Sequence, residues 1–217
     1  MLNPLQGRKN KNLLTFTGPS GSGKSTLARH TSKYGHCNYF EGSAGLTLDE
    51  KTASFLQQTY GWQRSGHKEV IHLSETAPGF AYDFQIGLLK ARIAKFLQVS
   101  EPTVTDRSLV DNIAYAALQA KKYLSDDKWQ GFLDLAIKGL NETVEIIIFV
   151  PTQNPYTGGI EDNGSRIADW LFQKVASAHF EYAIELIRPH FNGRIHTIRN
   201  WDLRDRMDQV ESIILGY

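Results

Sequence analysis

Short apolar, β-prone runs alternate along this chain with longer segments of helical period. The runs fall at 13–17, 37–40, 103–105, 144–150 and 194–198. Between them, 24–34, about 48–59, 81–98, 109–122, 126–139, 166–188 and 203–215 carry apolar residues three and four apart, the spacing of a helix face. Strands that alternate with helices imply βαβ units, and therefore a parallel sheet covered on both faces. Residues Val144 to Val150 are almost continuously apolar, as a central parallel strand should be. Three stretches break the rhythm: 61–80 reads as polar and irregular, 151–165 is long and turn-rich, and 199–205 is polar. Ligands bind at the carboxyl ends of strands in an open α/β sheet, so the segment at about 151–166 is expected to be a lid or substrate loop.

Composition adds bounds. The 217 residues suit a single domain, with 41% hydrophobic and 22% charged residues as in ordinary globular chains. A net charge of +1 announces neither nucleic acid nor an acidic membrane surface. The one cysteine, Cys37, is expected as core filler in a buried strand and excludes an internal disulfide, which fits a reducing compartment. No run approaches the ~20 apolar residues of a membrane span, and the first ten residues carry no apolar signal core. The expected location is cytosolic, in a bacterium or in a host cell.

The chemistry begins at Gly18-Pro19-Ser20-Gly21-Ser22-Gly23-Lys24-Ser25, which satisfies G-x-x-x-x-G-K-[ST]. A β-prone run enters it, and a helical segment from Ser25-Thr26 leaves it. In such a loop the glycines let successive backbone N–H groups face inward around phosphates. Lys24 adds a point charge at the β- and γ-phosphates, and the Ser25 hydroxyl ligates Mg²⁺. The following helix aims its positive end at the same anion. ATP and Mg²⁺ are the expected cofactors.

A second acidic position decides among the proteins that use this loop. The best apolar strand ends Phe149-Val150-Pro151 with no acid, unlike a remodelling ATPase, and no Asn-Lys-x-Asp supports a signalling GTPase. Instead the run at 103–105 delivers Asp106-Arg107-Ser108 at its carboxyl end. Phosphoryl transfer needs positioning and charge stabilisation, which an acid and a forked cation at one strand end can supply. Asp106 would serve Mg²⁺ or accept a proton, and Arg107 would hold the acceptor or phosphate oxygens. A helix cap at Asp106 or Ser108 is the alternative.

The phosphate loop, Asp106-Arg107-Ser108 followed by Asp111-Asn112 and Ala114-Tyr115, and Glu161 to Arg166 resemble the nucleoside and nucleotide kinase superfamily. Within it the resemblance is to the compact branch of AAA-type ATPase and ribosylnicotinamide kinase-like domains, with many phage-encoded members. It implies an αβα domain with a five-stranded parallel sheet in the order 2-3-1-4-5. It also implies Glu41 as a base near the acceptor hydroxyl and Arg166 as a lid arginine over the transferring phosphate. Trp201 or Arg204 would lie against the adenine. The helix at 81–98 would line the acceptor pocket, with Phe84 as core and Gln85 as a base contact. The implied activity is phosphotransfer from ATP to a hydroxyl or monophosphate of a small nucleoside-like acceptor, by a monomer or homodimer with no membrane partner. A kinase acting on a base or end in DNA or RNA, and a slow NTPase switch, are the competing readings. His67 and His72 lack a third metal ligand, and Lys90, Arg92 and Lys95 read as a solvated basic face.

Overall fold

The computed structural model describes residues 12–42, 48–64, 67–152, 170–200 and 202–216. Five strands form one parallel sheet: β1 (Leu13–Thr17), β2 (Asn38–Phe40), β3 (Thr103–Thr105), β4 (Val144–Phe149) and β5 (Arg194–Thr197). Their order is β2-β3-β1-β4-β5, as expected. The helices are α1 (Lys24–Gly35), α2 (Glu50–Tyr60), α3 (His67–Thr76), α4 (Pro78–Phe96), α5 (Leu109–Gln119), α6 (Asp126–Thr143), α7 (Trp170–Ile187) and α8 (Leu203–Leu215), with one 3₁₀ turn at Lys121–Tyr123.

Side-chain alternation along the strands divides the core in two. Leu14 and Phe16 of β1, with Ile146 and Ile148 of β4, pack against Leu27 and Ala28 of α1 and Val210, Ile213 and Ile214 of α8. Leu13, Ile147 and Phe149 face the other way, onto α4, α5, α6 and α7. Each such fully buried Ile, Leu or Phe contributes about 1.5–3 kcal/mol, so the two layers clamp the central strands. The loops at the strand ends are thereby held over a rigid base.

The expectation of irregular structure over 61–80 is overturned. Residues 67–76 form α3, and α4 begins at Pro78, a residue suited to the first helical turn because its missing N–H has no intrahelical partner there. The reason lies in Val70, Leu73, Ala77 and Phe80. Their spacing of three, four and three is an apolar stripe hidden among polar neighbours, and it packs with Leu56 of α2 and Trp62 into a third small core. Cys37 also departs from expectation: it precedes β2 and is half-buried, and burial raises its thiol pKa.

Candidate active site

The loop between β1 and α1 is shaped by backbone sterics. Gly18 sits at φ 145°, and a Cβ there would lie 2.1 Å from the Val150 carbonyl oxygen, so only glycine lets the loop press against the end of β4. Lys24 is buried and donates from Nζ to the Pro19 carbonyl at 2.6 Å and to Ser22 Oγ at 3.4 Å, following the loop's inner surface. Ser20, Gly21, Gly23, Lys24, Ser25 and Thr26 line a cavity of about 590 Å³.

The far wall of that cavity is built from β2 and β3. Asp106, 2% exposed at the end of β3, accepts from three donors: the Ser25 hydroxyl, the Tyr39 hydroxyl at 3.2 Å and the Gly42 N–H at 2.8 Å. A Cβ on Gly42 would fall 2.5 Å from Arg107 Cβ, so this glycine lets the backbone after β2 approach the carboxylate. Burial first, and then the neighbouring Asp106 charge, push the Tyr39 phenol up to about 12, so it stays protonated as a donor. Arg29, Glu41 and Arg107 complete the cavity wall. Ser25 and Asp106 thus present two hard oxygen donors side by side, a donor set that suits Mg²⁺ with water completing its shell.

Behind Arg107 a second network fixes its aim. Ser108 caps α5, its hydroxyl accepting from Val110 N–H, while Asp111 reaches back to accept from Ser108 N–H at 2.9 Å. The same carboxylate, 2% exposed, accepts from Thr17 at the foot of the phosphate loop and from Arg107 Nη1, each at 2.9 Å. One acid therefore ties the phosphate loop, the Asp106-Arg107-Ser108 turn and α5 together. Burial works against the Arg107 charge, but Asp111 beside it holds its pKa above the ordinary value. Ser108 of this turn caps α5, as the capping alternative expects, and Asp106 borders the cavity.

Arg107 also borders a second, open cavity of about 280 Å³, lined mostly from α4 and α5. Val70, Phe84 and Leu88 supply apolar wall, and Gln85, Arg92, Asp111, Asn112, Tyr115 and Gln119 supply polar groups. Arg92 hydrogen-bonds the Asn112 side chain and, at 2.9 Å, the Ser108 carbonyl, while Gln85 Nε2 donates to Gln119 Oε1 at 3.0 Å. These pairings, seven residues apart on each helix, make α4 and α5 antiparallel and separate the two polar ends by about 10 Å. The solvated basic face expected of Lys90, Arg92 and Lys95 holds for Lys90, which is exposed, and is corrected for the other two. Arg92 is only 6% exposed, and burial lowers its pKa to about 10, still charged at neutral pH. Lys95 instead lies over the Phe40 ring at 3.9 Å.

Of the residues singled out from sequence, Ser20, Gly21, Gly23, Lys24, Ser25, Thr26, Glu41, Asp106 and Arg107 line one cavity. Phe84 and Gln85 line its neighbour. Arg204 is exposed on the first turn of α8 and borders neither cavity. Arg166, Trp201 and all but the first two residues of the 151–166 segment lie outside the described residues. Among the described residues no three His, Cys, Asp or Glu side chains gather around a metal position, His72 included. Sequence reasoning missed Tyr39, Gly42, Asp111's bridging role, Gln119 and a buried arginine under the loop, Arg206. Only Tyr39 left a signal, two residues before Glu41.

Similar architectures are known. Deoxyadenosine kinase from M. mycoides with dCMP and dCDP bound superposes with a TM-score of 0.59 at 13% identity, over 94% of this chain and 98% of that one. Its dATP complex gives 0.59 at 15%, over 94% and 99%. Thymidylate kinase from Ehrlichia chaffeensis gives 0.53 at 16%, over 95% and 100%. The fold is the P-loop kinase fold. No protein-family model matches the sequence, and no curated protein matches it significantly.

No helix among the described residues is long and apolar enough to cross a membrane.

Proposed function

We propose that this protein is an ATP- and Mg²⁺-dependent kinase that phosphorylates a hydroxyl of a nucleoside-like acceptor. The observation that carries the reading is the meeting of two cavities at Arg107, one polar and walled by the phosphate loop, the other a slot with apolar walls and polar ends. The backbone of residues 18–25 and Lys24 hold the triphosphate, and Ser25 and Asp106 hold Mg²⁺, which when bound offsets charge on the β- and γ-phosphates. Arg107 stands between donor and acceptor, its fork available to oxygens on either side.

Glu41 favours a hydroxyl over a monophosphate acceptor. A hydroxyl must lose a proton during transfer, and Glu41 lining the same cavity as Asp106 and Arg107 supports the reading that its carboxylate takes it. A monophosphate, with its second pKa near 6, is already anionic at neutral pH and needs no base. The slot between α4 and α5 suits a flat heterocycle against Phe84 with its edge at the Gln85–Gln119 amides, about 10 Å from the charged end. Of the structural neighbours, deoxyadenosine kinase is named for a nucleoside acceptor, in line with this reading, whereas thymidylate kinase is named for a nucleotide.

The test is ADP release from ATP and Mg²⁺ across nucleosides, nucleoside monophosphates, ribosylnicotinamide and DNA, with Lys24→Ala as the blank. Stimulation by a nucleoside that vanishes in the blank is the expected result. Turnover that no acceptor alters would refute the kinase reading in favour of a switch, and stimulation by DNA alone would move the acceptor to nucleic acid.

A further inference from the structure

Arg206 is among the largest fully buried side chains of the described protein, 1% exposed, on the first turns of α8. Its Nη1 donates to the Ser22 carbonyl at 2.9 Å, across 184 residues of chain, and its Nε donates to the Asn200 carbonyl at 2.6 Å. A Cβ on Gly23 would lie 3.3 Å from the same Nη1, so the guanidinium rests against the underside of the phosphate loop. Both partners are neutral carbonyls, and among the described residues no carboxylate pairs with it. A buried guanidinium without a counter-charge is costly, so its retention calls for an anion nearby in the working state.

The geometry also has a directional consequence. In a trans peptide the C=O and N–H lie in one plane and point in opposite directions, and no peptide among the described residues is cis. Drawing the Ser22 carbonyl down to Arg206 therefore turns the Gly23 N–H the other way, up toward the cavity that Gly23 lines. We infer that Arg206 is a positioning residue for phosphate binding: it orients the Ser22–Gly23 peptide, ties it to the loop after β5 through Asn200, and has its charge balanced by the bound phosphate chain. The inference rests on the phosphate-binding role proposed above.

Dissociation constants for ATP and for inorganic tripolyphosphate, and melting temperatures with and without each, would be compared among wild type, Arg206→Gln and Arg206→Lys. In Arg206→Gln both constants should rise about tenfold or more, the loss expected of a contact to a charged group. Its melting temperature without ligand should hold or increase, its gain on adding ligand should shrink, and the acceptor KM should stay unchanged. Arg206→Lys keeps the charge without the fork and should recover affinity only in part. Equal loss of melting temperature with and without ligand, at unchanged affinity, would make Arg206 a scaffold residue and overturn the inference. If the Gln variant does not fold, Arg206→Lys decides, and wild-type affinity there overturns it. Wild-type protein that binds neither ATP nor tripolyphosphate would defeat the phosphate-loop reading itself, and the inference with it.

Discussion

The two cavities flanking Arg107 are built in opposite ways. The larger draws six of its lining residues from the single stretch 20–26, where glycines leave the backbone itself open to a bound phosphate. The smaller draws on the turns after β2 and β3 and on α3, α4 and α5, and every lining residue but Gly42 carries a side chain. Backbone geometry recognises what phosphates share, their charge and tetrahedral oxygens. Side chains from separate helices recognise what distinguishes one acceptor from another. A chain can therefore keep its donor site nearly invariant in form while its acceptor site changes with a few substitutions.

If that division is real, substitutions on the two sides should separate in kinetics. The largest effect is expected for Lys24→Ala, with kcat/KM falling about 10³-fold or more while acceptor binding, followed by calorimetry, survives. Loss of acceptor binding in that variant would mean the cavities are not independent. Glu41→Gln should lower kcat by about 10²–10⁴-fold with both KM values little changed, as removal of a general base does. A pH–rate profile that keeps its acidic limb in this variant would assign the base elsewhere.

Gln85→Leu sharpens the comparison from the acceptor side. It strands Gln119 and any heterocycle edge without a partner, and should raise the acceptor KM about tenfold to a hundredfold at constant KM for ATP. Equal change in both would place Gln85 in the scaffold. The smallest effect is expected at Tyr39, which supplies one of three donors to Asp106. Tyr39→Phe should change kcat by less than about threefold, since two donors remain. Its phenol is raised from 10.0 to about 12 in the fold, so its contribution to stability is full below pH 10 and is lost as pH rises toward 12. Melting curves of Tyr39→Phe should therefore decline less over that window, the remaining loss coming from the other groups that burial raises, Tyr60 (to about 12), Tyr82, Tyr115 and Cys37.

Legibility followed locality. The central strand could be read because a buried parallel strand is nearly all apolar, as Val144 to Phe149 is but for Glu145, whereas the strand order came only with the resemblance to kinases. Residues 67–76 were misread because Val70, Leu73, Ala77 and Phe80 needed only one narrow face to join α2 and Trp62 in a small core. Arg92 was misread for a related reason. Lys90, Arg92 and Lys95 look alike in a helical period, and only the arrival of Asn112 and Ser108 from α5 takes Arg92 out of solvent.

Sequence alone determined the phosphate loop, the alternation of strands and helices, and the acid and arginine at the end of β3. Each is a property of a few adjacent residues whose sterics or periodicity act locally. Tertiary structure alone decided that Asp111 joins Thr17 to Arg107, that α4 and α5 run antiparallel around a slot, and that Arg206 lies under Ser22. Those contacts join residues up to 184 positions apart. Such pairs leave no local trace, because what selects them is the burial of charge and the satisfaction of hydrogen bonds in the folded chain.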